Sequence, residues 1–106
     1  MSTKKYLEYE ETSKVLEKID GKVNFGMFLR VARTTLEVTQ AEMARILGVP
    51  KAMVCDIEKG RQFVSPTLAL KIANKAGLSP KQALRLCFQD QLRRAKAKYW
   101  VKVEEK

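Results

Sequence analysis

An all-α fold is the expectation for this chain: five helices, with an N-terminal extension before them and a short C-terminal strand after. Three observations predict it. Helix starts are written in cap-forming residues: a T-x-x-E capping box at Thr39–Glu42, then Ser65-Pro66 and Ser79-Pro80. There a hydroxyl accepts from a first-turn N–H, and a proline at the first helical position gives up a bond the helix would not have made. Glycines stand where helices should stop, at Gly48 and Gly77. Between these marks, apolar residues recur at spacings of three and four, the period of one helical face.

The 106 residues suit a single domain, and 45% hydrophobic with 31% charged residues is a globular rather than a disordered composition. The net charge of +9 favours a polyanionic partner, nucleic acid or an anionic membrane surface. It is unevenly spread. Residues 1–23 carry five cations and five anions, 24–80 eight and four, and 81–106 eight and three. No apolar run reaches the ~18–20 residues of a membrane span, and MSTKKYLEYEE has no apolar core of a secretory signal, so a cytoplasmic protein without membrane contact is expected. Cys55 and Cys87 lack metal-ligand spacing, and a structural disulfide is not expected in that compartment.

Taken in order, residues 1–23 form the extension. Lys5–Glu10 (KYLEYE) reads as a strand or extended arm, and Val15, Leu16 and Ile19 predict a short helix over about 13–20, from Ser13 to Gly21. The segment either covers the core or reaches DNA as an arm; its balanced charge favours the cover. Helix one runs from about Phe25 to Leu36, with Phe25, Phe28, Leu29, Ala32 and Leu36 inward. Met43, Ala44 and Leu47 form the stripe of the helix behind the Thr39 cap, and Gly48-Val49-Pro50 turns the chain tightly. The next helix, about Lys51–Lys59, turns Val54, Ile57 and Glu58 to one side and Lys51, Ala52, Cys55, Asp56 and Lys59 to the other. The second face is either a solvated basic face or one that enters a DNA major groove.

The helix at about Pro66–Ala76 carries Leu68, Ala69, Ile72, Ala73 and Ala76 as its core stripe. Ser79-Pro80-Lys81-Gln82 opens the fifth helix with a second capping box. Its apolar face is read as Ala83, Leu84, Cys87, Phe88, Gln91, Leu92 and Ala95. Phe88 and Leu92 exceed what a small core needs, which makes them candidates for a dimer seam or for contact with residues 1–23. In the tail YWVKVEEK, alternation of Tyr99, Val101 and Val103 with Trp100 and Lys102 predicts a strand that requires a partner, either KYLEY or the same segment of a second subunit. Trp100 is read as an anchor there. Three regions result: the extension (1–23), a central domain (24–79) and a C-terminal helix and strand (80–106) that is the candidate dimer or partner surface.

Five separated segments carry a resemblance. They are Phe25-Gly26-x-x-Leu29-Arg30-x-x-Arg33, Thr39-Gln40-Ala41-Glu42-Met43-Ala44, Gly48-Val49, Ile57-Glu58-Lys59-Gly60, and Pro66 through Ile72-Ala73-x-x-Ala76-Gly77-Leu78-Ser79. In order and spacing they resemble the Cro/phage-repressor, or XRE-like, helix-turn-helix proteins over about 24–79. The resemblance implies a five-helix DNA-binding domain whose recognition helix is the one at 51–59. Lys51, Ala52 and Asp56 then occupy base-facing positions. Lysine donates to guanine O6 or N7, alanine meets a thymine methyl, and aspartate accepts from cytosine N4. Asp56 has a competing reading, an ion pair with Lys59. Gln40 opens the first motif helix with its amide available to a phosphate, and Thr39, Lys59, Arg61 and Gln62 are the other phosphate neighbours. The same resemblance implies that Arg33 and Glu58 pair across the core as a structural ion pair. Two departures stand out: Pro50 where serine or threonine usually caps the recognition helix, and Cys55 on the groove face.

Catalysis finds no footing. The chain has no histidine for a Ser-His or Cys-His pair and no phosphate-binding glycine loop. No enzyme activity, metal or cofactor is expected. The favoured reading is a dimeric transcriptional repressor on double-stranded DNA, reading a near-palindromic operator. A second is an antitoxin-type protein that binds a toxin partner and represses its own operon, and a third is non-specific coating of nucleic acid driven by charge.

Overall fold

The computed structural model describes residues 23–106, and across them the chain is helical. Helix α1 spans Phe25–Leu36, α2 Gln40–Leu47, α3 Lys51–Glu58, α4 Pro66–Ala76 and α5 Pro80–Arg94. The arm and short helix expected within residues 1–22 lie outside the described residues.

Each boundary has a local cause. Asn24 caps α1, its side chain accepting from the Met27 N–H at 2.9 Å. Thr39 and Glu42 form the reciprocal box of α2: the Thr39 hydroxyl accepts from the Glu42 N–H at 3.1 Å and Glu42 Oε1 accepts from the Thr39 N–H at 3.0 Å. The bond from the Thr39 N–H, with the Thr39 hydroxyl beside it, holds the Glu42 carboxyl below its ordinary range. Gly48 closes α2 at φ 72°, a left-handed conformation that costs glycine little. Pro50 precedes α3 with no side-chain cap bond, so the sequence departure at this position is a missing cap in fact. Ser65 and Ser79 cap α4 and α5, accepting from Leu68 and Gln82 N–H groups at 3.1 Å each. At α5 Gln82 does not complete a box with the cap; its Oε1 accepts from Arg85 Nε at 3.1 Å.

The core lies where α1 crosses α3, α4 and α5, with α2 set against α3 and α4. Leu29, Ala32, Met43, Val54, Ala69, Ile72, Ala73 and Ala83 are fully buried, and Ile57 and Leu86 nearly so. The apolar face read for α5 is rotated from the real one. Ala83 and Cys87 are buried as expected, but Phe88, Gln91 and Ala95 are exposed, and Leu86 and Gln89 are buried in their place. Polar partners explain the rotation. Asp90 Oδ2 accepts from the Phe25 N–H at 2.9 Å, and Gln89 grips the tail, so two polar residues occupy inner positions that an apolar count passes over.

The C-terminal strand is not formed; among the described residues no strand occurs. Its backbone groups go to a side chain instead. Gln89 Nε2 donates to the Tyr99 carbonyl at 2.9 Å, and the Val101 N–H donates to Gln89 Oε1 at 2.8 Å. One buried amide thus serves both a donor and an acceptor of the tail, as a neighbouring strand would. Tyr99 and Trp100 are 75% and 71% exposed.

Candidate nucleic-acid interface

Helix α3 is held from behind and open in front. Val54, Ile57 and Glu58 are buried, whereas Lys51, Ala52 and the flanking Lys59 are exposed, with Cys55 and Asp56 half-buried between them. The Gly48-Val49-Pro50 turn sets α3 after α2, and the Val49 N–H donates to the Ala44 carbonyl at 3.0 Å to fix that turn. Gly26 places α1 against the other end of α3, because its lack of a side chain leaves room for the Ile57 and Glu58 carbonyls.

Glu58 is the hub of this arrangement. Its side chain is 1% exposed and joins three helices. Arg33 Nε donates to Oε2 and Arg33 Nη2 donates to Oε1 at 3.0 Å, a bidentate pair between α1 and α3. Arg33 Nη1 also donates to the Val38 carbonyl at 3.1 Å, which fastens the link into α2. Gln40 Nε2 donates to Glu58 Oε1 at 3.2 Å, and exposed Arg30 lies 3.7 Å from the same oxygen. Burial pushes the Glu58 carboxyl up, but the bonds from Arg33 and Gln40 and the nearby guanidinium charges outweigh it, and its pKa sits below the ordinary value. The hydrogen bond to Glu58, together with its charge, raises Arg33 against the effect of burial.

The expected site residues fall in two groups around α3. Thr39 and Gln40 stand at the N-terminus of α2, while Lys59, Arg61 and Gln62 follow the end of α3, all three exposed. The Gln40 amide is not free as expected: one of its two N–H groups is engaged by Glu58, which fixes the side chain and leaves the other for an outside acceptor. Asp56 does form an ion pair, but with Arg61 at 3.8 Å rather than with Lys59. The chain turns back after α3, the Arg61 N–H donating to the Asp56 carbonyl at 2.8 Å, and this brings Arg61 within reach. Phe88 (40% exposed), half-buried Leu92 and Trp100 lie on α5 and the tail, apart from this face in the chain.

Arg30, Gln89 and Asp90 are structural or site neighbours that periodicity does not single out. Arg30 falls within the quoted motif, and its spacing of three before Arg33 is a signal in retrospect. Among the described residues no group of His, Cys, Asp or Glu could hold a metal, and Cys55 and Cys87 are free thiols. Cys87 is buried with its sulfur 3.2 Å from the Val64 carbonyl, and burial raises its pKa.

Two short helices joined by a tight turn, the second with a buried back and a polar front, define the helix-turn-helix class. A family model described as a helix-turn-helix domain matches residues 24–86, and the chain belongs to that family, one of the Cro/XRE-type group. Comparison with curated proteins and with solved structures found no significant match. Membership supports a DNA-binding regulator, and domains of this family are typically non-enzymatic. No helix of the described residues is long and apolar enough to cross a membrane.

Proposed function

We propose that this protein is a dimeric transcriptional repressor that reads a near-palindromic operator with α3. The observation that carries the reading is the split of α3: Val54, Ile57 and Glu58 locked inside, Lys51 and Ala52 outside, at the positions that enter the groove in this family. In this reading Lys51, Ala52 and Asp56 meet base edges. Thr39, Gln40, Lys59, Arg61 and Gln62 hold phosphate on either side. The Glu58 hub acts at one remove, fixing α3 and the Gln40 amide relative to α1. Two copies would place two such helices one turn of DNA apart, ~34–36 Å, and Phe88, Leu92 and Trp100 are the surface assigned to the second copy.

The exposed aromatic residues Tyr99 and Trp100 favour the one competing account, an antitoxin that holds a toxin through this surface. The test is binding to the DNA upstream of the protein's own gene, against a scrambled duplex, at several salt concentrations. A preference of ~10³ or more at physiological salt is expected. Equal, salt-sensitive binding to both duplexes would reduce the +9 charge to a general attraction for polyanions. Co-purification of a stoichiometric small protein would favour the antitoxin account.

A further inference from the structure

We propose that the C-terminal end of α5 is a second DNA-backbone surface, in which Arg94 and Lys98 hold phosphates beyond those reached by the loop after α3. The inference rests on the DNA-binding reading above and extends the contact surface outside the helix-turn-helix.

A crevice of about 370 Å³ opens between the loop at 60–63, the first turn of α1 and the last turn of α5. Asn24, Gln62, Phe63, Asp90, Arg93 and Arg94 are among its walls. The Arg94 guanidinium lies 5.5 Å from the centroid of the Phe63 ring, a cation–π contact that docks the end of α5 on the phosphate loop. Arg94 is exposed, and its ring partner directly follows Gln62 and stands two residues after Arg61.

The one acid in the crevice, Asp90, is engaged at one oxygen by a hydrogen bond and at the other by charge alone. Asp90 accepts from the Phe25 N–H and lies 3.5 Å from Arg93 Nη1 through Oδ1. Arg93 is itself committed, donating to the Val23 carbonyl at 2.6 Å. Asp90 and Arg93 therefore bind each other and the start of α1, and Arg94 carries the unmatched charge. The chain then turns at Lys96, with φ 59° and the Ala97 N–H donating to the Leu92 carbonyl at 2.9 Å, and runs back to Gln89. The turn keeps exposed Lys96 and Lys98 at this end of α5 instead of trailing into solvent. Successive phosphates of one strand advance about 3.4 Å along the DNA axis, so Arg94, held on the ring that follows Gln62, is assigned the phosphate next to those of the Arg61–Gln62 loop, and Lys98, on the chain that turns back, one further along. The surplus of charge in residues 81–106, eight cations to three anions, gains a use that the helix-turn-helix alone does not give it.

Counting released counterions tests this directly. The full chain is titrated with a mixed-sequence duplex three helical turns long, and the slope of log K against log [salt] is compared among variants. Lys96 stays untouched because it forms the left-handed turn that sends the tail back along α5. Arg94→Ala with Lys98→Ala should lower the slope by ~2, about 0.9 for each lost phosphate contact. Lys75→Ala with Lys81→Ala removes equal charge at the opposite end of α5, ~20 Å away and beyond the ~10 Å screening length at 0.1 M salt, and should leave the slope as it is. Circular dichroism checks that all variants stay folded. An unchanged slope for the Arg94/Lys98 pair while Arg61→Ala lowers it would overturn the inference and leave the DNA reading standing. Equal losses from both pairs would also overturn it, as a general charge effect. No binding by the unaltered chain would remove the DNA reading itself.

Discussion

Gly26 of α1 approaches Ile57 of α3 so closely that a Cβ on the glycine would stand 2.6 Å from the Ile57 carbonyl oxygen, and 2.7 Å from that of Glu58. The two helices meet backbone to backbone at the end of α3, and the obstructing atoms are peptide oxygens that no side-chain rotation can move aside. Gly26→Ala should therefore destabilise the domain even though alanine is the better helix former. A gain of up to ~1 kcal/mol in propensity stands against a steric cost of about 3 kcal/mol, leaving a net loss of ~2 kcal/mol. Urea unfolding measures it. A variant within ~0.5 kcal/mol of the parent would mean that α1 shifts freely and does not set the position of α3.

Acid should weaken the link between α1, α2 and α3. Glu58 is held below its ordinary pKa in the folded chain, because the Arg33 and Gln40 bonds outweigh its burial. A carboxyl with a depressed folded pKa contributes stability that is present above its unfolded value, ~4.3, and lost as pH falls through the folded one. Asp90 works in the opposite sense. Burial raises it over the lowering effects of the Phe25 N–H and Arg93, so its protonation relieves a cost as pH falls. Thermal melts of Asp90→Asn should therefore lack the gain that the parent makes as pH falls towards ~4, and melts of Glu58→Gln should decline less steeply than the parent as pH falls below ~4.3. At neutral pH, Glu58→Ala should cost about 3 kcal/mol, since it leaves Arg33, only 21% exposed, without its partner. Identical acid profiles for all three proteins would refute the assignment of Glu58 as the titrating link.

Gln89→Leu tests the tail anchor. The substitution keeps apolar bulk on α5 but removes both bonds to the Tyr99 carbonyl and the Val101 N–H. Helix content should hold, stability should fall by ~1–2 kcal/mol, and trypsin should cut near Lys96 and Lys98 much faster than in the parent. Cleavage at the parental rate would show that something other than Gln89 holds the tail.

Much of this fold could be read directly. The caps at Thr39, Ser65 and Ser79, the stops at Gly48 and Gly77 and the periodic apolar residues marked helices whose observed ends agree with the reading, because these signals are local and act within a turn of the residues that carry them. Legibility failed where a side chain serves distant backbone. Gln89 and Asp90 look like surface residues by type, and only the arrival of the tail and of Phe25 makes them interior. For the same reason Tyr99–Val103 alternates like a strand without being one. At the site, the separation of inner from outer residues on α3 followed from helical period. The partners of Gln40 and Asp56 did not, since Glu58 and Arg61 are brought to them by the fold and by the turn after α3.

The most direct test of the central claim, that α3 reads bases, is selection from a randomised duplex pool with the unaltered protein, Lys51→Ala and Asp56→Ala. The account predicts a two-fold-related consensus for the unaltered chain. Each variant should lose preference at one or two positions per half-site, by ~5- to 100-fold, the equivalent of ~1–3 kcal/mol for a lost base contact, while other positions are retained. If both variants return the same consensus as the parent, or weaken binding evenly at every position, α3 does not read the DNA and the proposed role of its outer face is wrong.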